Sequence, residues 1–378
     1  MSNRKGTALV LTLWILCALV ILAAGLAMTA HTEIQVSRNY ADTIQCRLAA
    51  RGGVNRGLVE VEDPDFTAQG AGTKLSSTED RIDLGDASFD VEIADEAGKV
   101  NINTAPESVL EAVFGSREIA AAIADWRDKD DDPRPVGAES QYYSGLGKPY
   151  RSRNGSFLTV RELLLVRGVT RAALSSPVTA DGRMLEDMLT VYSRDKNTDT
   201  AGRERLNIKT ATKEDMKSRL GDVLADTDID STIKWRDERK PSSASEIALV
   251  PGLGRDKVKS IFDRITASDE KVRPGLININ TAPAELLATV PGFDRRIADE
   301  VVSYRDSQGP LTDVGQLLNI SAVSVEVFAK AADLLTTRSR VFRIVSAGKV
   351  ALTSSSESVV CVVDAMDDSP AQISYWRE

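Results

Sequence analysis

The chain has 378 residues, 42% hydrophobic and 27% charged, enough for two or three ordinary domains with cores of their own and too apolar for a disordered chain. Its net charge of −9 is the wrong sign for a protein whose main work is neutralising phosphates. His31 is the only histidine, which removes Ser-His-Asp, Cys-His and multi-His zinc chemistry, and nothing in the sequence pairs the many carboxylates, so no enzymatic activity is expected.

An uncharged apolar run extends from Thr7 to Ala30, close to the ~20 residues that cross a bilayer, and the basic leader Arg4-Lys5-Gly6 precedes it. A leader that ends in Gly before such a helix is the form cut by a prepilin peptidase, which predicts cleavage between Gly6 and Thr7. Two alternatives stay open: conventional signal-peptidase cleavage after Ala30, and an uncleaved anchor. Arg4 and Lys5 hold the N-terminus in the cytoplasm, so everything beyond about His31 is exported. The expectation is a single-pass inner-membrane protein with its bulk in the periplasm.

Apolar residues continue at helical spacing through Ile34, Ala41, Ile44, Leu48, Val54, Leu58 and Val61, and Asp63-Pro64 stops them. One helix is predicted from about Thr7 to about Glu62. Gly52-Gly53 within it reads either as a break or as the place where a sheet comes close. Between Leu84 and Asp95 the pattern changes to alternation, with Phe89, Val91 and Ile93 on one face of a strand.

Three similar segments follow, opening with Val100-Asn101-Ile102-Asn103-Thr104-Ala105-Pro106, Leu206-Asn207-Ile208-Lys209-Thr210-Ala211-Thr212 and Ile277-Asn278-Ile279-Asn280-Thr281-Ala282-Pro283. Thr104, Thr210 and Thr281 read as helix N-caps, with Pro106 and Pro283 in the first turn. Each copy carries an aromatic-Arg-Asp triplet, Trp126-Arg127-Asp128, Trp235-Arg236-Asp237 or Tyr304-Arg305-Asp306, and closes on a short apolar helix. The repeats read as stacked helix-hairpin-helix units.

Such hairpins can offer backbone N–H groups to phosphate when Gly-rich. Pro251-Gly252-Leu253-Gly254 has that form, followed by Arg255, Lys257 and Lys259, whereas Arg167-Gly168-Val169-Thr170 and Pro291-Gly292-Phe293-Asp294 lack the second Gly. With no continuous basic stripe, nucleic acid is disfavoured as a partner. The densest carboxylate cluster lies between the first triplet and its closing helix. Asp128, Asp130, Asp132 and Glu139 there are candidate Ca²⁺ ligands, and a solvated acidic loop is the alternative.

Phe342–Val345, Val359–Val363 and Ile373–Trp376 read as three late strands, which pair with the early one in an antiparallel sheet because lone strands do not survive. The expected divisions are 1–6 leader, 7–30 membrane helix, 31–98 remaining helix and first strands, 99–338 helical insertion of three repeats, and 339–378 closing strands. Cys17 lies in the membrane run, and whether Cys46 and Cys361 pair is left open.

These residues together resemble the minor pseudopilin K family of type II secretion systems. The resemblance rests on the Gly6 junction, Asn101–Thr104, Asp125-Trp126 through Asp130, Gly137-Ala138-Glu139, Tyr142-Tyr143, Pro149-Tyr150-Arg151 and Asn154. It continues through Val160–Leu163 to Gly168, Asn278–Pro283 and the closing Tyr375-Trp376-Arg377-Glu378. The second repeat, around Leu206 to Ile265, departs from the usual two-copy arrangement. The resemblance implies an α+β fold: a long N-terminal transmembrane pilin helix packed on a small antiparallel sheet, with a large all-α helix-hairpin-helix (SAM-like) insertion. It also implies Ca²⁺ in the insertion and a non-enzymatic place at the tip of a pseudopilus. The implied partners are the other minor pseudopilins and the prepilin peptidase. Leu11, fifth after the expected cut, stands where pilin-type subunits ordinarily carry Glu, which fits a subunit with no neighbour above it. The competing expectation is a membrane-anchored DNA receptor, since Asn-x-Asn-Thr-Ala-Pro also occurs in competence receptors.

Overall fold

The computed structural model describes residues 4–63, 82–351, 355–366 and 371–378. The apolar run and the helical spacing beyond it merge in one unbroken helix, α1 (Arg4–Val61, 58 residues). Among the described residues α1 is the one helix long and apolar enough to cross a membrane, and its apolar window is wholly unburied. Farther along, Cys46, Ala50, Val54 and Val61 are buried. Their spacing of about one turn lays a single stripe of the helix on a sheet.

That sheet has five strands among the described residues, the two early ones followed by the three late ones in chain order, every neighbouring pair antiparallel. The early strands are β1 (Ile82–Leu84) and β2 (Ala87–Asp95), and the late ones are β11 (Val341–Val350), β12 (Ser356–Asp364) and β13 (Gln372–Arg377). Ile344 stands opposite Ile93 on one side and Cys361 on the other, and all three meet Ala50 and Val54 in one core. The Gly52-Gly53 alternatives resolve at Gly53. The helix does not break, and a Cβ at Gly53 would lie 2.1 Å from Ser346 Oγ and 2.8 Å from the Phe89 ring. Gly57 and Gly348 are close-packed in the same way, against Ile344 and the Cys46 carbonyl. Cys46 and Cys361 are both buried free thiols. Cys46 Sγ instead donates to the Ser355 carbonyl.

The contacts also fix direction. Gly348 meets α1 at Cys46 and Ala50, while Ile344 meets it at Gly57, so β11 runs antiparallel to the helix. The Asp95 and Val341 ends of the sheet therefore lie beside the end of α1 farthest from its membrane half. The whole segment between these two residues projects from there.

Within that segment each repeat is closed by a two-residue parallel bridge between its start and its end. β3 (Val100–Asn101) pairs with β4 (Leu189–Thr190), β6 (Leu206–Asn207) with β7 (Ile265–Thr266), and β9 (Ile277–Asn278) with β10 (Leu335–Thr336). The linkers between repeats pair too, β5 (Arg194–Lys196) with β8 (Val272–Pro274), antiparallel. One continuous apolar core runs through all three repeats, from Val100 to Leu335.

The recurrent residues have specific uses. Asn101, Asn207 and Asn278 each accept from the backbone N–H two residues on, an Asx turn. Ala105, Ala211 and Ala282 then close a turn onto the Asn carbonyl. This extra turn corrects the expected caps. The helices begin later, capped by Pro106, Thr212 and Pro283 and not by Thr104, Thr210 and Thr281. The triplet arginines lock the turn: Arg127 donates to the Ile102 and Ala105 carbonyls, Arg236 to Ala211, and Arg305 to Ile279 and Ala282. Asn103 and Asn280 additionally clamp the backbone of Phe157 and Leu311, a role Lys209 does not fill in the second repeat.

Candidate metal centre

The helix Arg117–Arg127 is buried continuously from Ala120 to Trp126, and Asp125 is carried inside that stretch with no exposure. Trp126 anchors the helix end, edge-on to Tyr143 at 5.1 Å and stacked on Phe157 at 6.2 Å, while its indole N–H donates to Glu162 Oε1. Asp128 is the C-cap, and from it the acidic loop leaves and returns to Glu139, which precedes the short helix Ser140–Ser144.

Here Asp125, Asp128 and Glu139 converge, each offering an oxygen within 4.8 Å of the others. This separation is roughly twice a Ca²⁺–oxygen bond of ~2.4 Å. Arg134 reaches two of them, with Nη1 2.6 Å from both Asp125 Oδ1 and Asp128 Oδ2. Glu139 receives only the Ser152 hydroxyl, at 3.1 Å. Glu139 Oε1 and Asp128 Oδ1 are buried without any hydrogen-bond partner, as is the nearby Asn154 Oδ1. Burial pushes the Glu139 carboxyl up to about 7, with repulsion from Asp125, Asp128 and Asp131 adding to it. A Cβ at Gly137 would sit 1.9 Å from Asp125 Oδ2, so the returning loop passes there only as glycine.

The structure thus brings Asp128 and Glu139 together and leaves the other two expected ligands outside the cluster. Asp130 and Asp132 are exposed, and Asp130 Oδ1 accepts from the Asp132 N–H to shape the loop. Asp125 is the third carboxylate of the cluster instead. Its signal in the sequence was a carboxylate at a position where the helix periodicity is apolar on all sides, which demands a partner.

Elsewhere, Gly6 and Thr7 lie within α1, and Leu11 is exposed on its apolar half. The hairpin comparison also changes. Each repeat contains two helix-hairpin-helix turns, and Gly252 corresponds to Gly168 and to Ser321-Ala322, each following a closing 3₁₀ helix. Pro291-Gly292 belongs to the other set, with Gly115-Ser116 and Gly221-Asp222. The basic residues after Gly254 are used internally. Arg255 donates to the Leu318 and Ile320 carbonyls, Lys257 binds Asp228 at 2.7 Å, and Lys259 reaches Asn319.

A membrane-length helix laid on a small antiparallel sheet, with a helix-hairpin-helix lobe spliced between two strands, defines a pilin-like protein with a helical insertion. Residues 108–177 match the family described as type II secretion system (T2SS), protein K, and residues 272–336 match the helix-hairpin-helix motif. The stretch similar to type II secretion system protein K contains the cluster of Asp125, Asp128 and Glu139. It is 24% identical over 195 residues to the putative type II secretion system protein K of Escherichia coli (strain K12), covering 45% of this chain and 59% of that protein. It is also 25% identical over 141 residues to the endonuclease/exonuclease/phosphatase family domain-containing protein 1 of Xenopus laevis, covering 32% of this chain and 25% of that one. The chain thus spans between a quarter and three fifths of these relatives. Among solved structures it is similar to the GspK-GspI-GspJ complex from the enterotoxigenic Escherichia coli type 2 secretion system, with 12% identity, TM-score 0.49, and coverage of 92% of this chain and 98% of that one.

Proposed function

We propose that this chain is a minor pseudopilin of a type II secretion system that sits at the tip of the pseudopilus and starts or caps its assembly, without enzymatic activity of its own. The observation that carries the reading is the protein K domain held in a lobe beyond the far end of α1. Subunits stacking through their long helices would meet that lobe from below, and it obstructs any subunit above. Leu11 supports the same place, because a carboxylate there with no neighbouring amine would cost ~2.5–3.5 kcal/mol in an apolar setting. In this reading the prepilin peptidase cuts after Gly6, α1 anchors the chain in the inner membrane with the bulk periplasmic, and the other minor pseudopilins are its partners. Mass spectrometry of the mature chain should find Thr7 first, and labelling of purified filaments should mark one end. Label along the whole shaft sinks the tip assignment.

The cluster of Asp125, Asp128 and Glu139 fits Ca²⁺, whose hard oxygen ligands match three carboxylates with two orphaned buried oxygens. Bound there, the ion would supply the positive charge that Arg134 gives only to Asp125 and Asp128, and would tie the acidic loop to the Trp126 helix. The two assignments are separable, since calcium binding is measurable on unassembled protein.

A further inference from the structure

The lobe contains a groove of about 880 Å³ between the second and third repeats, also lined by Thr104 and Pro106 of the first, and neither the carboxylate cluster nor the five-stranded sheet contributes to it. Strand β8 forms one wall. Its pairing with β5 fixes which way its backbone points. Asn197 N–H donates to the Lys271 carbonyl and Gly275 N–H to Ser193, so with Asp195 opposite Arg273 the bonded pairs are 271, 273 and 275. In an antiparallel ladder the alternate residues turn their N–H and C=O outward. Val272 therefore presents both groups, and Pro274 its carbonyl, on the free edge of β8, with no second strand beside it among the described residues.

The rest of the groove suits an added strand. Leu249, Pro291 and Leu334 line it together with Val272 and Pro274, and Leu249 is 44% exposed, so it offers apolar surface to an added strand. The rim is acidic. Asp333 is neutralised by Arg273 at 3.2 Å, which leaves Glu246, Glu270 and Glu326 against Lys330.

We propose that this groove is a strand-addition site for an extended segment of a second protein, whose alternating apolar and basic side chains pack on Leu249 and Leu334 and meet Glu270 and Glu326. Main-chain bonds to Val272 supply affinity, and the alternate side chains supply specificity. The site is independent of calcium and of filament position.

The test uses the full chain in detergent and two six-residue peptides, one alternating Val with Lys and one alternating Val with Glu. The Val/Lys peptide should bind at least tenfold more tightly, and the exchange of the Val272 amide should slow on binding. N-methylation of the peptide residues facing β8 should abolish binding, while N-methylation of the other residues should change it less than twofold. The rim variants Glu270→Lys and Glu326→Lys, both at exposed positions, should reverse the preference between the two peptides. No binding, equal binding of the two N-methylated forms, an unchanged Val272 amide, or unaltered preference in the rim variants each overturn the proposal.

Discussion

Asp95 and Glu96 are neighbours in the chain, yet they join the sheet to different repeats. Asp95 leaves β2 toward the third repeat, accepting from Asn278 Nδ2 at 2.8 Å and Thr281 Oγ1 at 2.6 Å. Glu96 turns toward the first, accepting from the Thr190 hydroxyl, and toward Lys99 at 2.6 Å and Arg343 at 2.7 Å. Successive residues of an extended chain point to opposite sides, so one strand end serves as a two-sided joint.

Glu96→Gln should destabilise the protein by about 3 kcal/mol at neutral pH, because it removes the partner of two largely buried cations. Burial alone would raise this carboxyl, but Lys99 and Arg343 outweigh it and hold it at about 2, below the ordinary 4.5. The unfolded chain thus takes up the proton first as pH falls. The contribution of Glu96 is complete above 4.5 and disappears as pH drops toward 2. Denaturant titrations across that window should show the slope in the wild type and its loss in the variant.

Asp95 should behave in the opposite sense. Its burial outweighs four hydrogen bonds, from Ser339, Thr281, Ala97 and Asn278, and pushes the carboxyl up from its ordinary 3.8. The native form keeps its proton longer, so this group favours the fold below 3.8 and loses that contribution as pH rises through the raised value. Asp95→Asn leaves donors facing a donor and should cost about 1–3 kcal/mol, read by the same titrations.

Gly52→Ala and Gly53→Ala should separate despite being adjacent. At Gly52 the nearest atom to an added Cβ is 3.7 Å away, so alanine brings only its better helix propensity, about 1 kcal/mol. At Gly53 the Cβ would overlap Ser346 and Phe89, forcing α1 off the sheet. Thermal unfolding should place the first variant at or above the wild type and the second well below it.

Arg305→Met should cost about 3 kcal/mol, since it strips the donor from the Ile279 and Ala282 carbonyls at 2.6 and 2.8 Å and keeps only the apolar stem of the side chain. The equivalent Arg127→Met should behave alike. Chemical denaturation of each variant checks both.

Calcium at ~100-fold over its Kd should stabilise the protein by about 2.7 kcal/mol. Asp125→Asn combined with Glu139→Gln should abolish that shift, while Asp130→Ala combined with Asp132→Ala should preserve it. A melting temperature that is the same in calcium and in chelator would remove the ion from this site.

What the sequence determined by itself is what acts over a few residues. The apolar run set the membrane-length helix, alternation at Phe89, Val91 and Ile93 set a strand, and the recurrent Asn-x-Asn and aromatic-Arg-Asp pieces exposed the repeats. The lone histidine closed off whole classes of chemistry before any distance was known. The tertiary structure decided everything that depends on which distant residues meet. It put Asp125 beside Glu139 and left Asp130 and Asp132 exposed, because a carboxylate cluster is assembled by a returning loop and not by spacing along it. Similarly, it sorted Pro291-Gly292 and Pro251-Gly252 into different hairpin sets, gave Arg255 and Lys257 internal partners, and showed Gly53 to be a contact and not a break. Periodicity reports which face of an element is apolar. Only packing reports what that face touches.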